Sequence, residues 1–287
     1  MPLPQNPVWF ITGCSTGFGR EIANAVLKRG WRAVVTARNP SALNEVVHDY
    51  PETALTLALD VTREDQVAAA VREAEARFGG IDVLVNNAGY GYLAAIEEGE
   101  DAPVRQMFDT NVFGLVSMTK AVLPGMRARR TGTVVNLSSI GGLTSFAATG
   151  YYHATKFAVE GLSASLAIEI EPLGLHVVVV EPGPFRTDFA GRSIAQSATV
   201  IEDYEGTAGE RRRQTFARDG KQIGDPVRAA EAIIAAVAAD RPPRHLLLGK
   251  PALDLAREKL GALAADFDAW EATTLGADYP PDEAGGA

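Results

Sequence analysis

Residues Val8 to Gly19, reading Val-Trp-Phe-Ile-Thr-Gly-Cys-Ser-Thr-Gly-Phe-Gly, limit the fold of this chain more than any other stretch. Val8 to Ile11 is an unbroken apolar run of β-branched and aromatic residues, the pattern of a strand buried on both faces in a parallel sheet. Gly13, Gly17 and Gly19 follow, and Ile22, Val26 and Leu27 then mark one face of a helix. Strand, glycine loop and helix together suit a phosphate. Glycines let the backbone turn tightly and approach a pyrophosphate, and free N–H groups at the helix start meet its charge. The spacing is neither the common Gly-x-Gly-x-x-Gly nor a P-loop, because Phe18 and Gly19 stand where the P-loop needs glycine and lysine. A glycine turn that binds nothing is the plainer alternative at this point.

Further strands follow at regular intervals: Ala33 to Ala37, Ala54 to Leu59, Val83 to Val85, Thr133 to Leu137, His176 to Val180 and Leu246 to Leu248. Helices are expected between them at Ser41 to His48, after a Thr62-Arg-Glu-Asp65 capping box, over Pro103 to Arg129 with a break near Pro124-Gly125, and over Tyr152 to Leu173. Strands alternating with helices imply an α/β fold, a Rossmann-like doubly wound parallel sheet of about seven strands. Neither a linker nor an internal repeat interrupts it, so residues 1–278 read as one domain. Residues 184–224 form a polar insertion, and Arg211-Arg212-Arg213 within it reads as a solvated face. Met1 to Gln5 reads as a loose arm and 279–287 as a disordered tail.

Apolar residues make up 46% of the chain, ample for a core, and the formal charge of −9 argues against nucleic acid or an anionic membrane as partner. No apolar run approaches membrane-spanning length and no signal-like pattern opens the chain. Cys14 is the only cysteine, so no internal disulfide can form. These features predict a soluble cytoplasmic protein. Cys14 reads as filler rather than nucleophile. His48, His153, His176 and His245 lack ligand spacing, so no metal is expected.

Ligands of open parallel sheets gather at the carboxyl ends of the strands. Polar or glycine-containing features stand at six of those ends: Gly13 to Gly19, Ala37-Arg38, Asp60, Asn87 to Gly89, Ser138-Ser139 and Pro182-Gly183. Tyr152 and Lys156 are four residues apart and share a helix face. A cation beside a phenol favours the phenolate, which lowers a tyrosine pKa from about 10 and makes it a usable acid or base. Tyr151 has no lysine at that spacing.

Taken together these motifs resemble the single-domain short-chain dehydrogenase/reductase family over nearly the whole length to about residue 250. Thr12-Gly13-Cys14-Ser15-Thr16-Gly17-Phe18-Gly19 is similar to its cofactor loop, and Asn86-Asn87-Ala88-Gly89 to its Asn-Asn-Ala-Gly segment. Asn111, Ser139, Tyr152 and Lys156 match its catalytic tetrad. The resemblance implies that Asp60 and Val61 lie at the adenine and that Pro182, Gly183 and Thr187 hold the nicotinamide amide. It implies further that Tyr152 exchanges a proton with the substrate oxygen, Ser139 holds that oxygen, and Lys156 tunes the tyrosine and binds the nicotinamide ribose. Asn111 would bend its helix and hold a water. The opening motif, the Asn-Ala-Gly-Tyr-Gly turn and the long C-terminal extension resemble the branch near hydroxysteroid and retinol dehydrogenases.

Arg38 directs the cofactor expectation. An acid at the end of the second strand would repel a 2′-phosphate, whereas Ala37 followed by a guanidinium favours NADP(H). Substrate walls are expected from Tyr90 to Ile96, Ile140 to Tyr151 and the insertion at 184–224, which covers the substrate, and Tyr90, Tyr92, Leu93, Leu143 and Phe146 suggest an apolar ketone, aldehyde or secondary alcohol. A non-catalytic NADP(H)-sensing regulator and an NAD-dependent alcohol dehydrogenase are the rival readings. The family's use of the helices bearing Asn111 and Tyr152 as interfaces implies a homodimer or homotetramer.

Overall fold

The computed structural model describes residues 3–189, 191 and 193–279. Seven strands form one sheet: β1 (Val8–Ile11), β2 (Arg32–Ala37), β3 (Ala54–Ala58), β4 (Val83–Asn86), β6 (Gly132–Leu137), β7 (Leu175–Pro182) and β9 (His245–Leu248). Two short strands, β5 (Gly91–Leu93) and β8 (Ile194–Gln196), pair apart from it. The helices are α1 (Gly17–Lys28), α2 (Asn44–Val47), α3 (Glu64–Phe78), α4 (Asp101–Phe108), α5 (Leu115–Arg129), α6 (Gly150–Ile170), α7 (Glu210–Ala217), α8 (Pro226–Ala238), α9 (Lys250–Ala269) and α10 (Glu271–Leu275).

The main sheet has the order β3-β2-β1-β4-β6-β7-β9, and every pair is parallel. Chain order reverses beside β1, so the carboxyl ends of β1 and β4 splay their loops apart and leave a crevice. Residues of β1 alternate between two cores. Trp9 and Ile11 pack with α1 and α8, whereas Val8 and Phe10 pack with α3 and α5. Each face of the sheet is thus covered, which is why β1 tolerates no polar residue. Leu3 lies against the first core, so the expected loose arm is anchored from there on. The expected tail lies outside the described residues from position 280 onward.

Three local expectations fail for identifiable reasons. Thr62 does not cap α3; its hydroxyl donates to Asp60 Oδ1 at 2.7 Å, and the helix starts one residue later on Arg63 without a side-chain cap. The chain from 101 to 129 does not break at Pro124, which sits inside α5. Lys120, whose carbonyl loses its donor there, is exposed, so water can meet it. The irregularity falls instead at Asp109–Gly114, wound as a π turn around Asn111. The segment 41–48 is a 3-10 turn followed by only one turn of α2.

The insertion at 184–224 is more ordered than its polarity predicts. Strand β8 docks on β5, and Glu98 locks the segment behind it. The Glu98 carboxylate is fully buried and accepts from the N–H groups of Ala95 (2.8 Å) and Ile201 (3.0 Å). Arg212 faces both of its oxygens at 3.0 and 3.1 Å. Burial raises the Glu98 pKa, but these donors and the guanidinium outweigh it and hold the carboxyl below its usual range. Glu98→Ala would leave the buried Arg212 guanidinium with Glu205 alone, at 3.7 Å. It is expected to lower unfolding free energy by about 3 kcal/mol in urea titration, with Glu98→Gln losing less.

Candidate active site

The crevice is held open by side chains that tie strand ends together. Thr12, at the end of β1, accepts through its hydroxyl from the N–H groups of Asn87 (2.9 Å) and Ala88 (3.0 Å). The Asn87 amide in turn donates to the carbonyls of Thr12 and Gly13, both at 2.9 Å. The glycine loop fits against this pair with no room to spare. A Cβ on Gly19 would lie 2.5 Å from both the Gly13 oxygen and Asn87 Nδ2, and Gly13 adopts φ +69°. Thr16 leaves the start of α1 without a side-chain cap, so its first N–H groups remain available to an anion. Ser15 and Thr16 line an open cleft with Arg20, Ser41, Ala42 and Glu45. This cradle fits a dinucleotide.

The other expected cofactor residues stand at or just after the carboxyl ends of neighbouring strands. Asp60 is half-buried, which raises its pKa, but two hydrogen bonds from Thr62 and the charges of Arg38 and Arg63 bring it below the usual value. Arg38 is exposed at the end of β2, and its charge reaches both Asp60 and Tyr90. The Val61 side chain faces the core against Gly114. Gly183 donates its N–H to Leu248 (3.0 Å), and the Thr187 methyl region lies beside Gly17. Phe18 meets Phe185 edge-on at 5.2 Å. Cys14 is wholly buried and its thiol is pushed up to about 12, consistent with filler.

Ser139, Tyr152 and Lys156 converge at the ends of β6 and α6. Tyr152 carries a hydrogen bond with Ser139, yet burial of the phenol pushes its pKa up to about 12. That overturns the expected lowering by Lys156. The ammonium lies 5.6 Å from the tyrosine ring centre and donates instead to the Leu137 carbonyl at 2.7 Å. Burial lowers Lys156 to about 8, against the opposing charge of Glu160. Asn111, in the π turn, accepts from the Tyr90 N–H (3.0 Å) and donates to the Tyr90 carbonyl (2.9 Å) and to Thr155 (3.2 Å). It thereby joins the loop after β4 to α6.

Four neighbours of this centre escaped the sequence. Phe189 packs on Tyr152 with ring centres 5.4 Å apart. Glu160, Glu181 and His245, from α6, β7 and β9, place one potential ligand atom each within 4.8 Å of one another. His245 Nδ1 lies 2.6 Å from Glu181, whose carboxyl burial raises to about 7. That arrangement can share a proton or take a cation, and no spacing in the sequence announces residues from three separate elements.

Comparisons with known proteins agree with this geometry. Residues 7–198 match the family described as short chain dehydrogenase. Human retinol dehydrogenase 8 is 36% identical over 251 residues, covering 81% of this chain and 78% of that protein. A short-chain dehydrogenase from Streptomyces avermitilis is 40% identical with a TM-score of 0.90, covering 96% of this chain and all of that one. The fold also appears in a Burkholderia phymatum short-chain dehydrogenase/reductase in complex with NAD (24% identity, TM-score 0.78, 88% and 92% covered). ElxO with NADP bound is 27% identical with a TM-score of 0.72, covering 87% and 99%. The chain belongs to the short-chain dehydrogenase/reductase family. It is an oxidoreductase of that family, and two of these solved structures hold NAD or NADP. Among the described residues no helix is long and apolar enough to cross a membrane.

His153, beside Tyr152, gives a stability test. Burial, reinforced by the Arg211 charge, lowers its pKa from 6.5 to about 4. Between those values the unfolded chain takes up a proton that the folded chain refuses, so stability falls as pH drops from about 6.5 to 4. His153→Asn should remove that component, on the order of 2 kcal/mol at the acid end, when the unfolding free energies of the two proteins are compared across that range.

Proposed function

We propose that the protein is an NADP(H)-dependent carbonyl reductase acting on apolar ketones or aldehydes, with the reverse alcohol oxidation open to the same groups. The observation that carries this reading is the meeting of Tyr152, Ser139 and Lys156 at the crevice mouth, with a phenol that stays protonated at neutral pH. NADPH, when bound, supplies the hydride. Ser139 Oγ positions the substrate oxygen, and Tyr152 gives it the phenolic proton. Lys156, still mostly cationic at neutral pH, stabilises the phenolate that results. Asn111 fixes the loop and helix that carry these groups. Arg38 pairs with the 2′-phosphate, and Gly13, Ser15, Thr16, Gly17, Phe18 and Gly19 cradle the pyrophosphate. Asp60, Val61, Asn87, Ala88 and Gly89 border the adenine and its ribose, and Pro182, Gly183 and Thr187 border the nicotinamide.

An apolar substrate is supported by Tyr92, Leu143 and Phe146 near the centre, and by the retinol named for the human relative. The reading extends to a cytoplasmic enzyme of one domain that assembles with itself. Phe113, Phe157, Leu162 and Ile168 support self-association, being large apolar side chains exposed on the π turn and α6.

Oxidation of NADPH against a panel of apolar ketones and aldehydes tests the proposal. Tyr152→Phe should lower kcat by about a thousandfold or more while NADPH still binds. Preference for NADH, or turnover that survives the phenylalanine, would contradict it. Arg38→Glu should weaken NADPH while sparing NADH, shifting their kcat/KM ratio about a hundredfold. Activity should also decline as pH rises through about 8, where Lys156 loses its charge. A profile flat to pH 10 would remove Lys156 from the proposed role.

A further inference from the structure

The three consecutive arginines of α7 have different fates. Arg213 is exposed and pairs with Glu205 at 2.6 Å and Glu210 at 3.1 Å. Arg212 is buried against Glu98. Arg211 has no carboxylate partner among the described residues. Its guanidinium carbon lies 4.6 Å above the Phe146 ring, and its buried Nε has no hydrogen-bond partner. Burial and the like charge of Arg218 both lower its pKa. Half-burial and the nearby Arg218 both disfavour the charge, and an arriving anion would offset them.

The place of Arg211 says where that anion belongs. Phe146 meets His153 edge-on at 5.5 Å, and His153 adjoins Tyr152, with ring centres 6.2 Å apart. A Cβ on Gly141 would lie 2.7 Å from His153 Cδ2 and 3.4 Å from Ser139 Oγ, so these groups form one wall. Arg211 therefore sits two rings away from Tyr152, through Phe146 and the buried His153. His153 brings no compensating negative charge; its Nδ1 accepts the Phe146 N–H at 3.3 Å. The helix that carries Arg211 is held in place by the buried Glu98–Arg212 pair, so the guanidinium is presented from a fixed position.

We propose that Arg211 binds an oxyanion, a carboxylate or phosphate monoester, at the end of the substrate remote from the reacting carbonyl, with the apolar body lying along Phe146. The planar fork of a guanidinium matches either oxyanion with two hydrogen bonds, which an alcohol or ester cannot reproduce. This deepens the proposed function, and it rests on Tyr152 and Ser139 being the reacting centre. The substrate class becomes an apolar oxo compound with an acidic end rather than a wholly apolar one.

Calorimetric titration of the NADPH-bound protein with decanoate, decyl phosphate and methyl decanoate tests this directly. At least one acid should bind about tenfold or more tightly than the ester, and Arg211→Gln should abolish that preference without weakening the ester. Which acid gains identifies the oxyanion. Arg211→Lys, which keeps the charge but not the fork, should retain part of the preference, and Arg213→Gln should retain all of it. Equal binding of acids and ester, or a preference that survives Arg211→Gln, would overturn the proposal. Turnover of an ω-oxo acid beside its methyl ester separates the two readings. An acid bound through Arg211 but not reduced would sink the reductase reading alone. Acid and ester reduced with equal kcat/KM would sink the Arg211 reading alone.

Discussion

The Thr12 hydroxyl is the contact on which the site depends most. Two N–H groups, of Asn87 and Ala88, end on this one oxygen, and the Asn87 amide returns two bonds to the β1 loop. A strand that leaves a parallel sheet exposes unpaired backbone groups at its end, and burial of those groups without partners would cost about 1–3 kcal/mol each. Here the two central strands satisfy each other. Gly19 can press against both loops because nothing larger intervenes.

A second chain of dependence runs beneath the reacting centre. Lys156 is buried with its ammonium on the Leu137 carbonyl, and one helical turn later Glu160 provides the charge that opposes its neutralisation. Glu160 in turn neighbours Glu181 and His245, and both Glu160 oxygens and one Glu181 oxygen lack hydrogen-bond partners. Two carboxylates so placed cannot both ionise easily, and burial raises both, Glu181 to about 7. The lysine thus sits between a phenol that resists losing its proton and carboxyls that resist losing theirs.

The sequence made most of the sheet and the cofactor crevice legible, because those features rest on local requirements. A buried strand needs apolar residues, a tight approach needs glycine at 13 and 19, and Tyr152 and Lys156 share a face through helical spacing alone. What it concealed depends on residues far apart. Thr62 looked like a helix cap until Asp60 competed for its hydroxyl. The polar segment 184–224 gave no sign that β8 would pair with β5, or that Arg212 would reach Glu98 more than a hundred residues earlier. Nothing in three successive arginines distinguishes the buried one, the exposed one and the one turned onto Phe146. The tyrosine pKa was misjudged for a related reason: spacing reports that a cation is near, but not that burial outweighs it.

The dissociation constant of NADPH for Thr12→Val, measured by quenching of intrinsic fluorescence beside wild type, tests the central claim most directly. Valine keeps the volume and β-branching of threonine and removes the hydroxyl, which accepts from Asn87 and Ala88 and donates to the Val85 carbonyl at 3.2 Å. Stranding the Ala88 N–H, and leaving the Asn87 N–H with the Val85 carbonyl alone at 3.1 Å, should loosen the crevice and weaken NADPH about tenfold or more, with the circular dichroism of the sheet and helices unchanged. An unchanged dissociation constant in a well-folded Thr12→Val protein would mean that the strand ends hold the cofactor cradle without this contact.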